Sequence, residues 1–363
     1  MGKDKKKLPK KPFVSVCTPT FNRRPFIPMM IKCFEHQTYP KDHIEWIIID
    51  DGTDKIEDMV SHIPQVKYFK YDEKMTLGKK RNLTNEKATG DIIVYMDDDD
   101  YYPPDRISHA VETLRQNPKA LCVGSSAMFI YFKHINKTIQ FGPYGPTHAT
   151  AATFAFRKEL LQQTRFSEDS AVAEEKNFLK QYTIPFAQLE SKKTIFVVSH
   201  DQNSFDKKTL LNQGPNPNMR ETDLVPSDFI KEPDILKFFI EDVEKILQSY
   251  DPGRPIHKDD VTKQLKVIQE QREEMIKDYM KKQNDYQNTM SKLMTLNPQM
   301  SEQRINELTH IIQELNIENG HLKEKVEYLE SKIKQLVGEL IQERKEKKLL
   351  SQNSSLLNAP PNP

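Results

Sequence analysis

The chain changes character partway along its length. Up to about residue 205, short apolar runs alternate with stretches of helical spacing; from Asp259 onward apolar residues recur only at helical intervals. Phe13 to Cys17, Ile44 to Ile49, Val66 to Tyr71 and residues 91–96 are short and rich in β-branched or aromatic side chains, the pattern of buried strands. Residues 26–38 place Phe26, Met29, Met30 and Phe34 near helical spacing, and a second helix is expected from Leu77 to about Lys87. Beyond these, residues 103–117 predict a helix and Ala120 to Gly124 a strand. Residues 127–141 predict a hairpin turning at His134–Asn136, Phe154 to Glu159 the start of a helix, and Lys193 to Ser199 a strand. Strand and helix in alternation predict an α/β fold with a largely parallel sheet and helices packed on it.

A Gly/Pro/Asn-rich stretch, residues 212–218, reads as a linker. Pro233 to Tyr250 follows as an amphipathic helix, with Leu236, Phe239, Ile240, Val243 and Leu247 on one side, expected to pack back on the α/β part. After Asp259, Gly and Pro almost vanish and Lys, Glu and Gln dominate, with a polar-interrupted helical repeat as far as Asn297-Pro298. Then Ile305, Ile312, Asn319, Val326, Ile333 and Leu340 fall at position a of a heptad, and Leu308, Leu315, Leu322, Leu329 and Leu336 at d. β-Branched residues at a with Leu at d favour a parallel two-stranded coiled coil, and one Asn at a fixes register. Across such a dimer Glu318 faces Lys323, Lys325 faces Glu330 and Glu339 faces Arg344, all attractive.

The 363 residues carry Lys+Arg 54 against Asp+Glu 53, a net charge of +1, which gives no reason to expect nucleic-acid binding. The three cysteines, Cys17, Cys33 and Cys122, form no CxxC pair, so a reducing compartment and a cytoplasmic location are expected. No apolar run is long enough for a membrane span. The basic start, residues 1–11, lacks the apolar stretch of a signal peptide and is expected to be a disordered tail.

The chemistry gathers where apolar runs end. Ile92-Ile93-Val94-Tyr95-Met96 runs straight into Asp97-Asp98-Asp99-Asp100. Four carboxylates together repel one another unless something cationic lies between them, and in open α/β sheets the carboxyl ends of strands are where ligands bind. A divalent cation completed by a phosphate-bearing ligand accounts for the run; a solvated acidic turn before a helix is the plainer account. Asp50-Asp51-Gly52 closes the second strand and by itself reads as an ordinary strand-ending turn. Lys79, Lys80 and Arg81 stand at a helix start, where cations oppose the helix dipole; a diphosphate would relieve that conflict. Lys79 and Lys80 nonetheless read as solvated surface charges.

In their order and spacing, VSVCTPTFNR, IIIDDGTD and LGKKRNLTNEKATGDIIVYMDDDD resemble the family-2 glycosyltransferases of GT-A fold, over roughly residues 13–205. The resemblance implies a nucleotide-sugar donor, UDP-linked before others, and an acceptor hydroxyl. It implies a donor site of Thr18, Pro19, Thr20, Asn22, Arg23, Asp50, Asp51, Arg81, Asp97 and Asp98, with Asp97-Asp98-Asp99 as the D-x-D motif, whose register within Asp97–Asp100 stays open. It implies a metal held by Asp99 and His200; carboxylate with imidazole suits Mn2+ better than Mg2+. The catalytic base maps to Glu175, with Glu174 and Asp169 as alternatives, because Glu stands where the family has Asp. His148, in a Gly/Pro-rich loop, is a weaker acceptor-side candidate.

The expected organisation is a basic tail (1–11), a GT-A domain (12–213), a linker with a packing helix (214–258), a helical segment (259–297), a dimeric parallel coiled coil (301–350) and a disordered tail (351–363). The expected function is metal-dependent, inverting sugar transfer from a dimer. The alternative is a coiled-coil scaffold whose head binds a nucleotide sugar without turning it over.

Overall fold

A computed structural model describes residues 11–212, 216–295 and 304–318, with 305 and 316 excepted. Contacts divide the chain into two compact units, Met1–Gln271 and Arg272–Pro363.

In the first unit the strands and helices run β1 (Val14–Thr20), α1 (Ile27–Glu35), β2 (Ile44–Asp50), α2 (Glu57–Val60), β3 (Val66–Lys70), α3 (Leu77–Lys87), β4 (Ile92–Tyr95) and α4 (Arg106–Gln116). They continue with β5 (Cys122–Gly124), β6 (Met128–Phe132), β7 (Lys137–Phe141), β8 (Ala155–Arg157), α5 (Glu175–Phe178), β9 (Phe186–Gln188) and β10 (Phe196–Ser199). Last come β11 (Met219–Thr222), α6 (Pro226–Phe229), α7 (Pro233–Lys237), α8 (Val243–Ser249) and the opening of the long α9 (Asp259–Thr295), whose residues 259–271 belong to this unit.

Seven strands form one sheet in the order β3-β2-β1-β4-β8-β5-β9. β1 lies parallel to both β2 and β4, and β2 to β3. Every residue of β1, β2 and β4 is buried, which is why Trp46–Ile49 and Ile92–Tyr95 read as continuous apolar runs and not as alternating ones. The chain steps outward from β1 to β2 and β3, then returns to the other side of β1 as β4. The carboxyl ends of β1 and β4 therefore flank a crevice at a topological switch point. A second sheet, β10-β6-β7-β11, contains the expected hairpin, β6 antiparallel to β7.

Phe154 to Glu159 does not start a helix. Ala155–Arg157 is a strand, antiparallel to both β4 and β5, followed by a 3-10 turn over Lys158–Gln162. A short apolar run carries no periodicity to separate strand from helix, and here the open edge of β4 decides. The Pro233–Tyr250 segment is helical but broken by a π-turn over Phe238–Asp242. It packs back on the core through Ile235, Phe238, Phe239, Val243 and Leu247, with Leu236 and Ile240 partly buried.

In the second unit, residues 306–315 are helical. Most of the heptad stretch, including Asn319 and everything after it, lies outside the described residues. No described helix is long and apolar enough to cross a membrane.

Candidate active site

β1 delivers Pro19 to the crevice and β4 delivers Asp97 to Asp100. Together with α3, the loop before α5 and the residues after β10, they surround a cavity of about 310 Å3. Pro19, Arg23, Arg81, Asp97, Asp98, Asp99, Glu174 and Glu175 all line it, so most of the separate sequence motifs converge on one space.

Arg81 is the hub. It is 1% exposed; its Nη1 and Nη2 donate to Asp97 Oδ1 and Oδ2 at 3.2 and 3.1 Å, and its Nε donates to Glu174 Oε1 at 2.7 Å. The main-chain amide of Asp97 donates to Tyr102 Oη at 2.7 Å, fixing the first aspartate from the other side. The loop that carries Glu174 is seated against α3 at Gly78. Gly78 N donates to Ser170 O at 2.8 Å, and a Cβ there would meet Ser167 O at 2.0 Å. Only glycine permits that approach.

The two glutamates differ. Glu174 is buried and held by Arg81. No other side chain hydrogen-bonds Glu175 among the described residues, and burial, with Glu174 beside it, pushes its carboxyl up to about 7. A carboxyl poised there can accept a proton near neutral pH.

Asp98 and Asp99 face Arg23. Its Nη2 donates to Asp99 Oδ2 at 3.0 Å and its Nε lies 3.5 Å from Asp98 Oδ1. Burial pushes Asp98 up to about 7 against the pull of Arg23, and pushes Asp100 well above the usual carboxylate range. Burial acts on Asp99 too, but Arg23 and His200 outweigh it and hold that carboxyl well below its usual range. His200, from the end of β10, sets its Nε2 3.3 Å from Asp99 Oδ2, and its ring lies 4.7 Å from Phe26. Burial pulls its imidazole down to about 4, so the ring is neutral, as a metal ligand must be.

Among the described residues no three His, Cys, Asp or Glu side chains converge as a complete metal cage. The Asp99–His200 pair would supply part of one once Arg23 Nη2 and Asn203 Nδ2, which now bond Asp99 Oδ2 and His200 Nε2, give way. Its 3.3 Å spacing is close to the roughly 3 Å edge between neighbouring ligands in an octahedron of ~2.1 Å bonds. Asp100 Oδ1, buried beside them, has no hydrogen-bond partner. A cation here would take its remaining ligands from a bound phosphate, as small divalent ions commonly do.

Other candidates are engaged elsewhere. Thr18 Oγ1 donates to Met96 O at 2.7 Å and accepts from Trp46 Nε1 at 2.9 Å, tying β1 to β4 and β2. Thr20 is buried and does not line the cavity. Asp50 accepts from Gly52 N, Ile56 N and Tyr68 Oη, so its carboxylate shapes the loop after β2. Asn22, at φ 52°, binds Asp54 N and Pro252 O. Asn22 and Asp51 border a neighbouring hollow that shares Phe21 and Lys74 with the main cavity. His148 lies between the rings of Tyr144 and Tyr182, at 5.0 and 5.2 Å, and does not line the main cavity. Lys79 is exposed as expected, whereas Lys80 is buried, its Nζ donating to Asp51 Oδ1 at 2.9 Å. A solvated reading of Lys80 fails because α3 turns that face toward β1 and β2.

Three residues had drawn no attention in the sequence. Lys207 and Lys258 line the cavity, and Gln264 Oε1 accepts from the amides of Ala171 and Val172 at 2.7 and 2.9 Å, bracing the loop before Glu174. Lys258 carried one usable signal: like Lys79, it is a cation at the start of a helix.

Residues 15–170 match the family model described as Glycosyl transferase family 2. An uncharacterized glycosyltransferase of Haemophilus influenzae is 31% identical over 121 residues, 32% of this chain and 48% of that protein. A glucosyl-dolichyl phosphate glucuronosyltransferase of Haloferax volcanii is 30% identical over 119 residues, 32% of this chain and 37% of that one. The chain thus spans less than half the length of these curated relatives. Among solved structures, S. aureus TarS 1-349 in complex with UDP-GlcNAc aligns with a TM-score of 0.42 at 20% identity, covering 68% of this chain and 70% of that one.

Proposed function

We propose that this chain transfers a sugar from a UDP-linked donor to an acceptor hydroxyl, with inversion at the anomeric carbon, and that it acts as a GT-A glycosyltransferase dimerised by its C-terminal helix. The observation that carries the reading is the convergence of Asp97–Asp99, Arg81 and an unpaired Glu175 on one cavity at the β1/β4 switch point. The family match over residues 15–170 supports it independently.

In this reading Asp97 and Asp98 orient the donor's ribose and sugar, and Arg81 neutralises charge on its phosphates while keeping Asp97 in place. Glu175 takes the proton from the acceptor hydroxyl as that oxygen attacks the anomeric carbon from the face opposite the leaving group. Glu174 holds Arg81 and leaves its neighbour free for that task. Asp99 and His200 would hold the divalent cation, Mn2+ before Mg2+. Such an ion, when bound, offsets the charge developing on the departing diphosphate. Leu308, Ile312 and Leu315 are 39%, 52% and 52% exposed on the single chain, which supports a second copy covering the heptad seam.

The test is a screen of UDP-sugars with Mn2+, measuring UDP release and sugar transfer. Release that depends on the metal and on Glu175 is expected. Tight UDP binding without release from any donor would leave the binding scaffold as the better description.

A further inference from the structure

The family match ends at residue 170, yet the cavity does not. Ser204, Phe205, Lys207, Lys258, Asp260 and Val261 also line it. The last three belong to the turn that opens α9, so the start of the long helix forms one wall of the donor cavity.

Charge and burial together single out one residue there. Of the cations lining the cavity, Arg23, Lys74, Lys80 and Arg81 each pair with a carboxylate, namely Asp99, Asp260, Asp51 and Asp97. Lys207 and Lys258 line the cavity without a carboxylate within ion-pair distance among the described residues; Lys207 is half-buried, and of the two only Lys258 is buried. It is 4% exposed, and its Nζ donates only to neutral acceptors, Gln202 O at 3.3 Å and Ser204 Oγ at 3.2 Å. A buried ammonium with neutral partners is costly, and folded proteins keep such groups where an anion completes them. Asp98 and Asp99 lie near enough to act on it, but neither forms an ion pair with it and both already face Arg23. The helix start adds a second conflict, since a cation there opposes the helix dipole. Strain of this kind is expected where a ligand resolves it.

We infer that Lys258 binds the diphosphate of the nucleotide-sugar donor, making the opening turn of α9 part of the donor site. The inference rests on the donor reading above and adds to it a ligand that comes from outside the family-matched segment. Burial, with Arg23 nearby, pulls the Lys258 ammonium down to about 6; an arriving diphosphate would favour its charged form.

The experiment compares UDP with uridine, which lacks the diphosphate, as ligands of the full chain in the presence of Mn2+. Binding is measured by calorimetry or saturation-transfer NMR. Lys258→Gln removes the charge and retains a donor for Gln202 O, which favours retention of the fold; thermal melting checks it. We expect UDP affinity to fall at least tenfold in Lys258→Gln, uridine binding to stay unchanged, and Lys258→Arg to recover part of the loss. Unchanged UDP affinity in Lys258→Gln, with wild type binding UDP, overturns the inference and leaves the donor reading standing. Equal weakening of UDP and uridine also overturns it, because a merely structural lysine would act on both. Wild-type protein that binds neither ligand overturns the donor reading and the inference together.

Discussion

Arg81 Nε donates to Glu174 Oε1 at 2.7 Å, and this one contact makes two adjacent glutamates unlike. Glu174 is committed to the guanidinium; Glu175 faces the cavity with a carboxyl held near 7 by burial. The division of labour follows from geometry, because both residues have the same side chain and differ only in what they meet.

Replacing Glu175 by Gln should therefore lower kcat by about 100- to 10,000-fold, the usual range for losing a general base. UDP affinity should stay within about twofold, since the residue does not hold the nucleotide in this reading. Steady-state kinetics with paired UDP titrations measure both. Glu174→Gln should instead weaken UDP binding, by loosening Arg81. If the two variants exchange these phenotypes, Glu174 is the base.

The raised carboxyl sets a pH dependence in activity and in stability. A base must be deprotonated, so kcat/KM should rise as pH climbs through about 7. For stability the sign is opposite. Glu175 binds its proton more tightly folded, at about 7, than at its ordinary value of 4.5. Its contribution is fully present below 4.5 and is lost as pH rises through 7. Glu175→Gln should accordingly be more stable than wild type at pH 8, by roughly 1–2 kcal/mol after allowance for partial solvent screening, and equal to it near pH 4. Denaturant melts at the two pH values decide it.

Asp99→Asn and His200→Gln should each weaken Mn2+ binding to the protein–UDP complex by at least about tenfold, read by calorimetry without any turnover. Neither change should abolish folding, because Arg23 keeps Asp98 as a partner. Identical Mn2+ isotherms for wild type and both variants would remove these residues from the metal site.

Gln264 braces the loop before Glu174 through two amides. Gln264→Ala leaves both without that acceptor, at a cost of about 1–3 kcal/mol. Amide exchange at Ala171 and Val172 should accelerate and kcat should fall while uridine binding holds. Unaltered exchange at these two positions would show the loop to be set by other contacts.

Removing residues 301–350 should convert a dimer to a monomer by light scattering. A full-length chain that is already monomeric at micromolar concentration would end the coiled-coil proposal.

The sequence by itself determined the local elements and the kind of chemistry. Continuous apolar runs at Trp46–Ile49 and Ile92–Met96 specified buried strands, because a strand covered on both faces needs no polar alternation. The abrupt Asp97–Asp100 run pointed to a ligand on equally local grounds, because like charges crowd there. Where the signal was short or two-sided it misled, as at Ala155–Arg157, drawn into the sheet by the edge of β4, and at Lys80, buried by the way α3 lies on β1. Only the tertiary structure decided the partners. Arg81 meets Asp97 and Glu174, 16 and 93 positions away, and Lys258 arrives from the start of α9. Side-chain identity fixes what a group can do, but which groups share a low-dielectric cavity depends on the order of strands in the sheet and on where its loops close.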